Sequence, residues 1–417
     1  MGLWEIGEAV MRISQFLACA GLACALAAPQ ARAQEQAQDE RPMERANVGL
    51  QASGEVEERK RAQAKEGAWA WTLLGMFGAG YDSNIFESPS SGPTPPLSPG
   101  KESSLVYDAG LKVAALRYFN DRDRLSLSFA ATGSPNLEES KITEYGQRLR
   151  ARYSARFSNR LRFSISGAVQ HENDNEADAF GGSLSRDYEN FAYRLSPSLR
   201  YKLSKRQSVR LSFPVKLKDY EETTLENSLD WWEYGPVLKY RARWSRAFLE
   251  LSYAFSVRSY DDELASLADG SEVATNAEEE HHYNKLGIEL GWRPTERLEL
   301  FSGYRFRSKD DRFEGFESYD DHRWEIGFAA TPRSEWAIRA KISYGKRDYD
   351  KRLGELPTEE LEYDKLRASL VARYQMSENL SFFARYSFSE RDSNRSTGTS
   401  YRDYEVHRFF TGLSFGY

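Results

Sequence analysis

The chain has 417 residues, 29% of them charged, and a formal net charge of −6. It lacks the apolar runs of about 20 residues that a bundle of membrane helices requires. Its aromatic share of 13%, with 24 Tyr, excludes disorder over most of the length, because disordered chains are poor in aromatics.

The N-terminus reads as a secretion signal over residues 1–33. Arg12 supplies the positive charge, and Phe16 to Ala28 is an apolar stretch of about 13 residues, too short to span a bilayer. Ala31 to Ala33 offers small residues before a cut at Gln34, and Met11 is a plausible true start. Cys19 and Cys24 are weak lipidation candidates, since Phe16 and Gly21 stand where a leucine is wanted. Both cysteines lie inside this segment, so the processed chain has no disulfide, Cys-liganded metal or thiol nucleophile. Residues 34–67 are rich in Gln, Glu, Arg, Lys and Ala, without apolar period, and are expected to form a flexible or short helical periplasmic leader.

From residue 68 to 417 the texture is different. Segments alternate apolar with polar, the period of a strand with two unlike faces. Short breaks at Asn120–Asp123, Ser158–Arg160, Ser204–Gln207, Ser245–Arg246, Arg293–Arg297, Thr331–Glu335 and Gln375–Asn379 alternate with longer polar ones. This predicts an all-β fold: a transmembrane antiparallel up-and-down β-barrel of about 16 strands in a bacterial outer membrane. Short turns and both termini would face the periplasm. The partners implied are outer-membrane lipids and lipopolysaccharide; no nucleic acid is expected.

The stretch Tyr193–Tyr220 shows the pattern. Tyr193, Leu195, Leu199, Tyr201 and Leu203 would face lipid, and Arg194, Ser196, Arg200 and Lys202 the lumen. Pro197 and Pro214 interrupt the register and suggest local bulges. By the same alternation Arg148, Arg150, Arg152, Arg210, Lys216, Lys239, Arg241 and Arg243 point inward. Such a basic lumen would gather anionic solutes or an anionic polymer. The same bases would also suit a packed interior in which they pair with inward glutamates such as Glu250, Glu289, Glu299 and Glu325.

Aromatics next to both kinds of break suggest two interfacial girdles. Toward the short turns these are Tyr118, Phe157, Tyr201, Trp244, Trp292, Trp336 and Tyr374. Toward the long loops they are Tyr145, Tyr188, Tyr220, Trp231, Tyr260, Tyr283, Trp324 and Tyr349. No enzyme, metal or cofactor is expected. Asp320, Asp321 and His322 sit together near an outer strand end but show no second carboxylate pair of defined spacing, and the adjacent His281 and His282 should point in opposite directions along a strand. There is no phosphate-binding glycine loop and no Gly-x-Ser-x-Gly elbow.

The chain ends with Gly412, then aromatics at Phe415 and Tyr417, which resembles the C-terminal signal read by the barrel assembly machinery. The first strand ends Gly80-Tyr81-Asp82-Ser83-Asn84-Ile85-Phe86 before a Pro/Ser-rich loop. This resembles a class of proteobacterial outer-membrane barrels. One branch is linked to exopolysaccharide biosynthesis and export; another is the barrel of surface-lipoprotein assembly modifiers. The leader is too short for the helical repeats that usually precede the second branch, which favours the first. That resemblance implies polysaccharide handling, with Tyr81, Asp82 and Asn84 at the rim shaping the turn into the loop. The rival expectations are a general diffusion porin and an assembly or translocation barrel for surface proteins.

Overall fold

The structure is a computed structural model. It describes residues 67–83, 103–135, 143–174, 188–220, 230–353 except 269, 272 and 274, 359–394 and 403–417. The expected signal and leader, and Asn84, lie outside the described residues.

Strands run in the order β1 (Trp69–Asp82), β2 (Ser104–Tyr118), β3 (Asp123–Pro135), β4 (Thr143–Arg156), β5 (Leu161–Asp174) and β6 (Tyr188–Lys202). Next come β7 (Gln207–Ser212), β8 (Val215–Tyr220), β9 (Trp231–Tyr234), β10 (Val237–Arg243), β11 (Ala247–Leu264) and β12 (Glu278–Thr295). The last are β13 (Leu298–Asp311), β14 (Tyr319–Ala330), β15 (Trp336–Leu353), β16 (Glu360–Gln375), β17 (Leu380–Ser393) and β18 (Tyr404–Gly416). All pairings are antiparallel between neighbours, and β18 pairs with β1 from Leu74↔Gly416 to Asp82↔Arg408, so the sheet closes. Closure is what makes the wall viable in lipid, where an open edge would leave its N–H and C=O groups without partners.

The wall has 16 staves, because β7 with β8 and β9 with β10 each form one interrupted stave. The interruptions fall at Phe213-Pro214 and Gly235-Pro236. The expected bulges are absent. Ser198↔Ser212 and Leu195↔Val215 keep one register across the first gap, and Ser212↔Val237 and Val215↔Tyr234 keep it across the second. Pro197, Pro214 and Pro236 accept bonds from Phe213, Gly235 and Phe255 on the next stave, at 3.1, 3.3 and 3.1 Å. Each proline lacks the N–H that would return the second bond of its pair. The ladder is thinned along a diagonal, not shifted.

The two faces differ as the alternation requires. Leu199, Leu211, Leu290, Ile326, Ile342 and Leu413 lie exposed on the outer face, whereas Ser164, Ser208, Glu233, Lys309 and Arg385 are buried on the inner one. β11, β12 and β15 run 18 residues each, well beyond the roughly 9–11 that a tilted strand needs to span a bilayer. Their excess lies at the long-loop end. The described residues begin and end at the short-turn end: Tyr417 exchanges backbone bonds with Leu73 at 2.8 Å, and Gly67 N–H donates to Tyr118.

At the closing seam an inward phenyl ring lies on a partner glycine. Phe410 pairs with Gly80 across the seam, and Phe383 of β17 lies on Gly412 beside it. A Cβ on Gly412 would come within 2.3 Å of the Phe77 carbonyl, so only glycine lets the first and last strands approach this closely.

Candidate functional site: the inner wall

The register places Arg148, Arg150, Arg152, Arg194, Arg200, Lys202, Arg210, Lys216, Lys239, Arg241 and Arg243 on the inner face. The pairs Ser128↔Arg150, Ala168↔Arg194, Arg194↔Lys216 and Lys239↔Ser252 carry that face from stave to stave. The pattern predicted from alternation therefore shares one side of the wall. Arg156 and Arg162, which the same alternation turns inward, complete it. Arg156 stands opposite Arg162, Arg162 opposite Arg200, Arg200 opposite Arg210, and Arg210 opposite Lys239. Five neighbouring staves thus bring five cations side by side.

Like charges directly opposite each other in a sheet are destabilising. A fold usually relieves such a row with carboxylates. Here the relief is small: Lys239 meets Glu250 at 3.0 Å, and Arg241 lies 3.8 Å from the same carboxylate. Among the described residues, Arg148, Arg150, Arg152, Arg156, Arg162, Arg194, Arg200, Lys202 and Arg210 form no ion pair. Their neighbours are hydroxyls. Arg152 donates to Ser164 Oγ at 3.4 Å, Arg200 to Ser208 Oγ at 3.0 Å, and Ser164 meets Ser198 at 2.8 Å.

Toward the long loops, and on the staves that follow, the inner wall is neutralised. Glu233, buried, accepts from Arg258 Nη2 and Lys285 Nζ at 3.0 Å each and from Ser256 Oγ at 2.9 Å, with Lys216 Nζ 3.9 Å away. Asp321 holds Arg307 and Arg347 at 3.2 and 3.1 Å. Glu317 accepts from Lys309 at 3.3 Å and also pairs with Arg352, drawing the 312–318 loop onto the inner wall. Glu233 was not singled out from sequence. Its signal was its parity with Trp231, opposite Lys218, and with Lys216 as its own cross-strand partner.

The outer girdle expected at the long-loop end is corrected by the register. Tyr220, Trp231, Tyr260, Tyr283 and Tyr349 are buried, on the inner face. Arg258 lies 4.1 Å from the Trp231 ring centre and 5.1 Å from that of Tyr283, and Arg347 lies 4.2 Å from that of Tyr319. These rings share the parity of the inward cations and cap them by cation–π contact. Tyr118 likewise falls on the inner face, opposite Arg124. At the short-turn end Tyr201, Trp244, Trp292, Trp336 and Tyr374 are exposed as expected. Near the long loops the outward rings include Trp324, stacked on His322 and Tyr344.

The candidate catalytic trio is divided between the faces. Asp321 faces inward to its two arginines, while His322 faces outward and its Nδ1 meets Tyr304 Oη at 2.8 Å. His281 and His282 also point to opposite faces, toward Glu279 and Glu280. Among the described residues no three His, Cys, Asp or Glu side chains gather as a metal site.

At the rim, Asp82 is buried and accepts from Arg408 Nε at 2.5 Å, while Tyr81 is exposed on the outer face. Phe415 and Tyr417 are also exposed on the outer face, and Gly412 lies in the seam.

A closed antiparallel barrel with an apolar exterior, a charged interior, short turns at one end and long loops at the other is a bacterial outer-membrane β-barrel. No family model matches the chain, and no curated protein matches it. Solved outer-membrane barrels resemble it loosely. OmpT (in-vitro folded), an outer membrane protein of Vibrio cholerae, is 11% identical, with a TM-score of 0.44 over 85% of this chain and 99% of that one. CdiB from Acinetobacter baumannii is 10% identical, with a TM-score of 0.46 over 82% of this chain and 60% of that one. A bacterial polysaccharide outer membrane secretin is 12% identical, with a TM-score of 0.43 over 83% and 97%. No activity is carried over from any of them.

Proposed function

We propose that the protein is an outer-membrane channel that passes anionic solutes or an anionic polysaccharide by passive, electrostatically assisted diffusion. The observation that carries this reading is the cross-strand row Arg156, Arg162, Arg200, Arg210 and Lys239, flanked by unpaired Arg148, Arg150, Arg152 and Arg194. Holding these cations together costs stability, and a compensating gain follows if anions occupy the lumen beside them. Low-dielectric walls focus the field of such a row and raise the local anion concentration. The interleaved hydroxyls of Ser164, Ser198 and Ser208 supply neutral partners for a hydrated or hydroxyl-bearing solute.

The polysaccharide part rests on the likeness of Gly80–Phe86 to the exopolysaccharide-linked barrels. With the short turns in the periplasm, both termini are periplasmic. A general diffusion porin would lack strong ion preference, and an assembly or translocation barrel would not need an uncompensated basic wall. Conductance of the purified protein in a planar bilayer, with its reversal potential in a salt gradient, tests the proposal. Anion preference supports it, and cation preference or none counts against it.

A further inference from the structure

The short-turn mouth extends the basic wall beyond the lumen. Three consecutive connections on the barrel rim, between β4 and β5, β6 and β7, and β10 and β11, carry Arg160, Lys205, Arg206 and Arg246. All four are exposed. Arg156, Lys202 and Arg243 stand exposed on the inner face directly beneath them. No carboxylate occurs from Arg156 to Arg160, from Lys202 to Arg206, or from Arg243 to Arg246. None of the four rim cations forms an ion pair among the described residues; Arg246 only reaches the Pro294 carbonyl at 3.5 Å.

The remaining turns differ. Asp121 and Asp123 accompany Arg122, Arg293 pairs with Glu299 at 2.5 Å, and Glu335 accompanies Arg333. The basic sector is therefore confined to the part of the rim above the cation row. At the other end the exposed carboxylates Glu280, Asp310, Glu362 and Glu405 stand on the outer face, where they meet His282, Arg312, Lys346 and His407.

We infer that the short-turn mouth is the loading mouth of the channel, a docking surface that captures a multivalent anionic chain and feeds it onto the cation row. The inference rests on the anion reading above and adds a side and a valence to it. A monovalent ion needs one cation at a time. The rim and row together offer cations on adjoining staves about 4.8 Å apart, so a chain bearing several negative groups binds many at once and gains avidity. In a passive channel such a mouth sets the rate of capture, not the direction of net flow, which the gradient decides.

The test uses short poly-L-glutamate as probe on single channels whose orientation is fixed by an antibody to an epitope inserted in the 221–229 segment. The half-blocking concentration should be lower from the short-turn side by about tenfold or more. The variant Arg160→Gln/Lys205→Gln/Arg206→Gln/Arg246→Gln should lose that difference. Its reversal potential should stay anionic, because the row inside is untouched. Binding of labelled poly-L-glutamate to the detergent-solubilised barrel gives a second readout that does not depend on an open pore, and it should weaken about tenfold or more in the variant. Equal block from both sides, stronger block from the long-loop side, or unchanged binding in the variant overturns the inference. Anion selectivity persisting through those results leaves the channel reading standing, and its loss in the wild-type protein removes that reading first.

Discussion

Asp82 and Arg408 face each other across the seam where the last strand meets the first, and Arg408 Nε donates to Asp82 Oδ2 at 2.5 Å. Asp82 is 2% exposed. A buried carboxylate paired in this way is worth most when its removal would strand the partner charge. The pair sits at the long-loop end of the seam, while Tyr417 and Leu73 clasp the other end through two backbone bonds. The barrel is therefore pinned at both ends of its closure.

Replacing Asp82 by Ala should cost about 3 kcal/mol, the lower part of the range for breaking a buried pair. Among the described strands, the seam is where the first and last of the chain order must meet, so the loss should appear as early unfolding. The temperature at which the compact barrel converts to the slow-migrating denatured band on a detergent gel measures this. Asp82→Ala should convert at lower temperature than wild type, and an unchanged midpoint would remove the pair from the account of closure.

Gly412→Ala and Gly133→Ala should differ sharply. A Cβ at Gly412 meets the Phe77 carbonyl at 2.3 Å, whereas one at Gly133 meets nothing within 4 Å. Gly412→Ala must push apart strands that closure holds together, so folded yield in the outer membrane should drop. Gly133→Ala should fold at wild-type yield. Equal yields would mean that the seam tolerates a wider spacing than the register shows.

Glu233→Gln should strengthen anion preference while weakening the fold. One carboxylate there holds Arg258 and Lys285 and lies near Lys216. Removing its charge leaves those cations uncompensated on the inner wall and should shift the reversal potential further toward the anion limit. A shift toward cations would show that this network does not face the conducting path.

The thinned diagonal at Pro197, Pro214 and Pro236 gives a stability prediction of opposite sign. Pro214→Val supplies an N–H where Gly235 already donates to residue 214, and the register needs no change to accept it. Stability should rise by about 1 kcal/mol, the net worth of one hydrogen bond. Amide exchange at Gly235 and Phe255 should slow. Faster exchange would point to a local distortion that proline relieves.

Much of this architecture could be read from residue order because a strand repeats every two residues, and parity alone separated the lipid side from the lumen side. Arg148 to Lys202 fell where parity put them. The same rule would have placed Tyr260 with Arg258 and Tyr283 with Lys285 on the inner face. The girdle expectation went wrong because it weighed nearness to a loop over parity. The row from Arg156 to Lys239 was not legible, since it depends on register between strands, and register is set by turns and side-chain packing that alternation does not encode. Proline suggested bulges, but an interruption of equal length on neighbouring staves leaves the register intact.

If the inward cations of β4 to β7 line a path that anions use, the barrel should prefer chloride to potassium. The most direct measurement is the reversal potential of the purified barrel in a planar bilayer across a potassium chloride gradient, compared with Arg150→Glu/Arg200→Glu. Chloride preference is expected in the wild type, and its loss or inversion in the double variant. A wild-type reversal potential on the potassium side, or one that the double variant leaves unmoved, would contradict it.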